Sequence, residues 1–346
     1  MLDFGPGNMR QTMFRGGGAI LALVVACLIF ATAGTPAAAG EPGGRGATAT
    51  LYEQAKAGSV EVLVNGHLQG TGWFADPKGL LLAASHMFER PGQRVEVVSP
   101  RQGRLEAKVL AVDRGHDLTL LKVEPRPGGF PALKLAPQRP AAGDEVFILG
   151  APLYRHTVLF RGTTARDDTT FECYGEQYVE VMHLAATVPG GMSGGAWLNA
   201  AGEVVGLQSG VMSHDTIPVG IAFAGPLEAI RTLLKTEHTA ATPTLGAALE
   251  ELWSQDDKLL ARYPPLTEGL VVRRLQDDGP AVRAGLKIFD LIIAADGKKI
   301  RLTDELLRIV CGKQPGQPLE LTLLAPDGAG GRKTTVRLGK LEIAWP

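Results

Sequence analysis

Three short segments carry side chains whose types could combine into a nucleophilic centre: Ser193 in Pro189-Gly190-Gly191-Met192-Ser193-Gly194-Gly195, His86 in Ala84-Ser85-His86-Met87, and Asp117 in Gly115-His116-Asp117-Leu118. A serine hydroxyl is a poor nucleophile near neutral pH. It needs a base within hydrogen-bond reach, and the base needs a carboxylate that fixes its tautomer and stabilises the imidazolium. Glycines on both sides of Ser193 allow main-chain N–H groups to aim at a developing oxyanion, and the predicted hole is made by the N–H groups of Gly191 and Ser193. Taken singly, each segment has a plainer reading: a turn serine, a structural histidine, a solvent-facing aspartate at a strand start. The weight lies in their combination.

The order His…Asp…Ser matches the chymotrypsin-type arrangement, whereas α/β-hydrolases run Ser…Asp…His and subtilisins Asp…His…Ser. The elements that must position the three residues agree with it. From about Ala49 to His238 the chain reads as short apolar segments broken by turn signals, among them Ser59–Val64 before Asn65-Gly66, Gly79–Ala83, Arg94–Val98, Leu118–Val123 and Glu145–Gly150. Such spacing indicates an all-β sandwich or barrel. Pro226 to Lys235 changes to a helical period, Thr236 to Pro243 reads as a polar linker, and a small α+β unit of strands and a helix over Thr303–Cys311 comes after it. In that unit, Thr303 is expected as the helix cap and Leu245 to Leu260 as partly helical.

The whole-chain arithmetic is consistent. A length of 346 residues suggests about two domains, 44 glycines and 23 prolines imply many turns, and 35 basic against 36 acidic residues leave no field for nucleic acid. Residues 1–39 read as a targeting segment: Arg10 and Arg15 precede an apolar run from Ala19 to Ala31, then Ala-x-Ala sites at Ala31-Thr32-Ala33 and Ala37-Ala38-Ala39. A cleaved signal and an uncleaved membrane anchor both export the rest of the chain; a lipidated Cys27 is a third reading. The other cysteines, Cys173 and Cys311, do not make a disulfide framework, and free thiols are expected.

On these segments the chain resembles the HtrA/Deg family, a trypsin-like serine protease domain followed by a PDZ domain. Gly70-Thr71-Gly72-Trp73-Phe74 is similar to the family's glycine-rich strand before the histidine, Asp117–Lys122 to its aspartate segment, and Met192–Ala196 with Gly202–Gly206 to its serine segment. The resemblance implies a double β-barrel over 49–238 and a PDZ domain over 241–343. It implies hydrolysis of misfolded or exported polypeptides through His86, Asp117 and Ser193, with no cofactor and no metal. Gly279–Lys287, Asp290-Leu291-Ile292 and Asp296-Gly297-Lys298 resemble the bacterial PDZ core, with Leu245-Gly246-Ala247 as the loop for a peptide's C-terminal carboxylate. By the same pattern Thr187 lies at the base of the S1 pocket, walled by Leu207, Gln208, Ser209 and Gly220. No carboxylate is expected there, so small or medium aliphatic residues should be preferred. A homotrimer is typical of the family, and the location implied is periplasmic, free or anchored to the inner membrane.

Three positions depart from the family pattern: Met192 and Ser85 stand where Asn is common, and His183-Leu184-Ala185-Ala186 lacks an expected carboxylate. A non-enzymatic peptide-binding scaffold is the rival reading, and the complete triad argues against it. An esterase has the wrong residue order. A metalloenzyme lacks paired ligands: the seven histidines hold no His-x-x-x-His pair. His116 is expected to point away from the site.

Overall fold

The computed structural model describes residues 46–88, 92–174, 176–214, 217–326 and 330–342. The targeting segment expected over 1–39 lies outside them. Among the described residues no helix is long and apolar enough to cross a membrane.

The first described element is a helix, α1 (Ala47–Gly58), where only strands were expected. Leu51 and Ala55, one turn apart, bury its inner face in the main core, and that packing decides a helix whose ends carry no side-chain cap. Six strands then close into a barrel: β1 (Ser59–Val64), β2 (His67–Phe74), β3 (Leu80–Ala84), β4 (Val95–Ser99), β5 (Gly103–Asp113) and β6 (Leu118–Val123). Asn65-Gly66 makes the two-residue hairpin between β1 and β2, pairing Val64 with His67. The spatial order is β1-β2-β3-β6-β5-β4, with β4 returning to β1.

A second set comes next: β7 (Glu145–Gly150), β8 (Val158–Thr164), β9 (Thr170–Tyr174), β10 (Gln177–Ala185), β11 (Ala196–Leu198), β12 (Val204–His214) and β13 (Ile217–Pro226). Their order is β13-β12-β11-β7-β8-β10-β9, and the pairing of β10 with β13 closes the ring, leaving β9 outside as a hairpin arm. Trp73 and Trp197, both fully buried, anchor one barrel each. The helix after Pro226 is α2 (Leu227–Thr236).

The remaining unit holds β14 (Pro243–Thr244), β15 (Ala247–Glu251), α3 (Asp257–Leu260), β16 (Leu270–Leu275), α4 (Pro280–Arg283), β17 (Leu291–Ala295), β18 (Lys298–Lys299), α5 (Thr303–Cys311), β19 (Pro318–Leu324), β20 (Gly331–Arg337) and β21 (Gly339–Lys340). Its main sheet runs β15-β16-β17-β19-β20, so β15 is an edge strand. Leu245–Leu260 is helical in part, as expected: α3 is its α-helix, while β15 pairs with β16 and buries Ala247, Ala248 and Leu249. One local expectation is corrected. Thr303 is the first residue of α5, not its cap; its N–H and hydroxyl donate to Glu251, while Glu305 accepts from the N–H of Leu302.

The segment read as a linker is docked. Ala240 N–H donates to Val112 C=O at 2.9 Å, and Leu341 N–H donates to Thr242 C=O at 2.8 Å, so both ends of the small unit are tied near the aspartate turn.

Candidate active site

β3 ends at Ala84 and passes into a 3-10 turn, Ser85–Met87, that presents His86. Asp117 precedes β6 in a tight turn, with φ of 56°, a conformation unusual outside glycine. β3 pairs with β6, Ala84 opposite Leu118, and this register brings the two residues together. Asp117 Oδ2 accepts from His86 Nδ1 at 2.7 Å, and Oδ1 accepts from the His86 N–H at 2.9 Å. Ser209 Oγ donates to Oδ2 at 2.5 Å and Ser85 Oγ donates to Oδ1 at 2.9 Å. The Arg114 guanidinium holds the histidine turn from outside by donating to the carbonyls of Ser85 and Phe88.

The carboxylate is fully buried, whereas about a quarter of the His86 side chain is exposed, 25 %. Burial disfavours ionisation of Asp117, but the charge and hydrogen bond of His86, with the Ser209 hydroxyl, outweigh it and hold its pKa below the usual carboxylate value. Burial likewise opposes the charged imidazole, and the Asp117 charge and hydrogen bond overcome it, so His86 is raised from 6.5. The carboxylate thus occupies Nδ1, so proton transfer at this ring would run through Nε2.

Ser193 comes from the second barrel and is fixed against the first. Its C=O accepts from the Thr71 N–H at 2.8 Å on β2, and the Thr71 hydroxyl donates to Gly191 C=O at 3.1 Å. The following N–H, of Gly194, donates to Gln208 C=O at 2.7 Å, one residue before Ser209 on β12. β12 therefore holds the serine loop with one residue and the buried aspartate with the next. Gly191 has φ of 94° and a Cβ there would lie 2.3 Å from Ala151 C=O; at Gly194, φ is 80° and a Cβ would lie 2.1 Å from Thr71 C=O. Only glycine fits either place.

The expected S1 residues divide. Thr187 is exposed and its hydroxyl lies 4.0 Å from the Cβ direction of Gly220, so these two face each other. Leu207 is buried in the core; Gln208 accepts from Trp197 Nε1 and donates to Gly210 C=O; Ser209 turns to Asp117. β12 points these three side chains into the protein, where packing and buried hydrogen bonds claim them, so what this segment can present to a pocket is its backbone.

His116 turns away from the site, its Nδ1 2.8 Å from Asp113 and Nε2 3.4 Å from Glu180. The carboxylate missing from His183–Ala186 reappears from the neighbouring strand, as Glu172 at 2.7 Å from His183. Neither Cys173 nor Cys311 forms a disulfide among the described residues.

The loop expected to take a peptide carboxylate is covered. Leu245 and Ala247 are buried, and the Gly246 N–H donates to the Thr244 hydroxyl at 3.1 Å. On the open edge of β15, Leu249 N–H donates to Tyr178 Oη at 2.8 Å and its C=O accepts from the same hydroxyl at 3.1 Å. Thr170 donates to Asp304 on α5 and Arg308 donates to Thr169 C=O, so the β9–β10 hairpin lies across the groove between β15 and α5.

Sequence reading missed Ser85, Thr71, Arg114 and Tyr178. Ser85 and Thr71 had a signal, one beside the histidine and one between glycines; Arg114 and Tyr178 had none, since their partners are distant in the chain.

Comparison with known proteins gives two family matches: a trypsin-like peptidase domain over residues 70–207 and a PDZ domain over residues 243–337. A protein of Ectopseudomonas mendocina named a probable periplasmic serine endoprotease, DegP-like, is 29 % identical over 279 residues, covering 79 % of this chain and 56 % of its own length. A putative serine protease HhoA of Synechocystis is 29 % identical over 272 residues, covering 75 % of this chain and 68 % of its own. The chain thus spans little more than half of the first relative. Among solved structures, an HtrA-type protease AlgW with decapeptide aligns with a TM-score of 0.61 at 22 % identity, over 84 % of this chain and 99 % of that one. A serine endoprotease from Yersinia pestis aligns with a TM-score of 0.57 at 22 % identity, over 84 % of this chain and 98 % of that one. Both alignments extend across the peptidase and PDZ units, in the same order as the two family matches: the chain carries a trypsin-like peptidase domain followed by a PDZ domain and is similar to serine endoproteases named as DegP-like and HtrA-type.

Proposed function

We propose that this chain is an exported serine endopeptidase whose peptidase module spans 49–238 and whose PDZ module spans 241–343. The observation that carries the reading is the buried Asp117 carboxylate accepting from His86 Nδ1 at 2.7 Å, while β12 ties the same carboxylate and the Ser193 loop together. Ser193 Oγ attacks the scissile carbonyl carbon as His86 Nε2 takes its proton. The charge that develops on the carbonyl oxygen is received by the N–H groups of Gly191 and Ser193. The imidazolium, stabilised by Asp117, then protonates the leaving amine, and a water activated by the same nitrogen hydrolyses the acyl-enzyme.

The substrate class is unfolded or misfolded polypeptide, bound with a small or medium aliphatic residue in the pocket bounded by Thr187 and Gly220. The location is the periplasm, the compartment named for the Ectopseudomonas relative, reached through the segment 1–39. The PDZ module binds C-terminal peptides by strand addition at β15, with their carboxylate at Leu245-Gly246-Ala247, once the β9–β10 hairpin moves aside. A homotrimer is the assembly that the family resemblance suggests.

The test is fluorophosphonate labelling of the folded chain beside Ser193→Ala, with and without C-terminal peptide. Labelling of the native chain alone supports the reading. No labelling in either, under every peptide tried, overturns it in favour of a peptide-binding scaffold.

A further inference from the structure

Among the described residues Asp117 accepts from two side-chain hydroxyls besides its contacts with His86, and the two hydroxyls reach different oxygens. Ser85 is fully buried and its backbone is fixed on both sides: its N–H donates to Asp117 C=O at 3.1 Å and its C=O accepts from Arg114 at 3.2 Å. With no solvent to turn to, its hydroxyl is committed to Oδ1. On the other oxygen the chain of donors is longer. Ser209 has one hydroxyl proton and gives it to Oδ2. The Tyr174 phenol faces Ser209 and the Asp117 charge, and a proton it shared with the serine would be given to the serine oxygen, whose own proton is already committed to Oδ2. Tyr174 Oη also lies 2.9 Å from where a Cβ on Gly210 would stand, so the glycine after Ser209 leaves it room.

A carboxylate that accepts more hydrogen bonds is less basic and grips its imidazolium less tightly. We propose, on the reading that His86, Asp117 and Ser193 form a catalytic triad, that Ser85 and Tyr174 are positioning residues: Ser85 acts directly on Oδ1 of Asp117, and Tyr174 acts through Ser209 on Oδ2. Together they aim the carboxylate and moderate its hold on His86. Tyr174 keeps its proton for this, because burial and the nearby Asp117 charge both push its pKa upward. The other charged or titratable groups facing this set are Arg114 at the histidine turn, Glu172 beside Tyr174, and His116 with Asp113 and Glu180 behind the aspartate turn.

The experiment is an NMR titration of the His86 imidazole in the full chain carrying Ser193→Ala, alone and combined with Ser85→Ala or Tyr174→Phe. The kcat/KM–pH profile of the same two variants with Ser193 intact is measured alongside. Losing a donor to Asp117 should raise the His86 pKa, by about 1 unit for Ser85→Ala and about half that for the indirect Tyr174→Phe, with the two effects adding in the double variant. In the profile, kcat/KM should fall up to about tenfold near neutral pH and recover as pH rises, with KM unchanged. An unshifted His86 titration in both variants, with activity lowered equally at every pH, overturns the proposal. The Tyr174→Phe variant removes one oxygen and keeps the ring, so it tests the idea even where Ser85→Ala does not fold. An unlabelled, inactive native chain would refute the peptidase reading, while the NMR titration would still decide the role of the two residues.

Discussion

His86 can act as a base only when Asp117 holds Nδ1, and at this scale the predictions concern single side chains. Ser193→Ala or His86→Ala should lower kcat by about 10⁶, and Asp117→Asn, which keeps the shape but imposes the wrong tautomer, by about 10⁴. Steady-state hydrolysis of an unfolded protein substrate checks all three. Because His86 is raised from 6.5 and must be neutral to take the serine proton, kcat/KM should climb through an acid limb centred above 6.5. A limb centred below that value would contradict the balance of burial against Asp117. Gly191→Ala should cost about 10²–10³ in kcat, since a Cβ at 2.3 Å from Ala151 C=O forces the oxyanion loop to move. A KM that stays unchanged would place the loss in the transition state. The residues of the proposed triad had a local signature in the sequence, because glycine and apolar segments flank them closely; Ser85 had only its place beside His86, and Tyr174 had none, because it meets Asp117 and Ser209 from segments distant in the chain.

At the scale of elements, the β9–β10 hairpin is the least expected feature. Tyr178 satisfies both main-chain groups of Leu249 on β15, the groups a bound peptide strand would use. A peptide must therefore displace that hydroxyl before it pairs. Tyr178→Phe leaves the edge unsatisfied in the closed form, and two hydrogen bonds of roughly 0.5–1.5 kcal/mol each correspond to about a tenfold gain in affinity for C-terminal peptides. Fluorescence anisotropy with a labelled peptide measures it, and weaker binding by the variant would refute competition at this edge. The sequence carried the PDZ strands and α5 through alternation and helical period. It carried no sign of the hairpin's position, because β9 pairs only with β10 and its outer face is defined by a partner in another unit.

Over the whole molecule, the two units are joined by ordered contacts rather than a free tether, and His116 sits at that junction. Burial opposes its charge, but Asp113 and Glu180 prevail and raise it to about 10. Below its unfolded value of ~6.5 the imidazole is protonated whether folded or not, and the full stabilisation is present. As pH rises from there to about 10 only the folded form keeps the proton, and the stabilisation is progressively lost. Tm should therefore fall over this window, and His116→Asn should flatten that part of the profile. A slope unchanged in the variant would assign the effect to other groups. Leu341, from the end of the described chain, packs with Val179, Val181 and Phe223 of the second barrel, which closes the junction from the far side.

By itself the sequence determined the class of each unit, the order of the three reactive residues and the glycines around the serine, because strand alternation, turn chemistry and backbone freedom are local properties. Tertiary structure alone decided which donors surround Asp117, that Leu207, Gln208 and Ser209 turn inward, and that the peptide groove is filled from within the chain. Those outcomes depend on burial and on strand register between distant segments, and side chains such as Ser209 and Tyr178 take their partners only once the barrels and the PDZ sheet have closed around them.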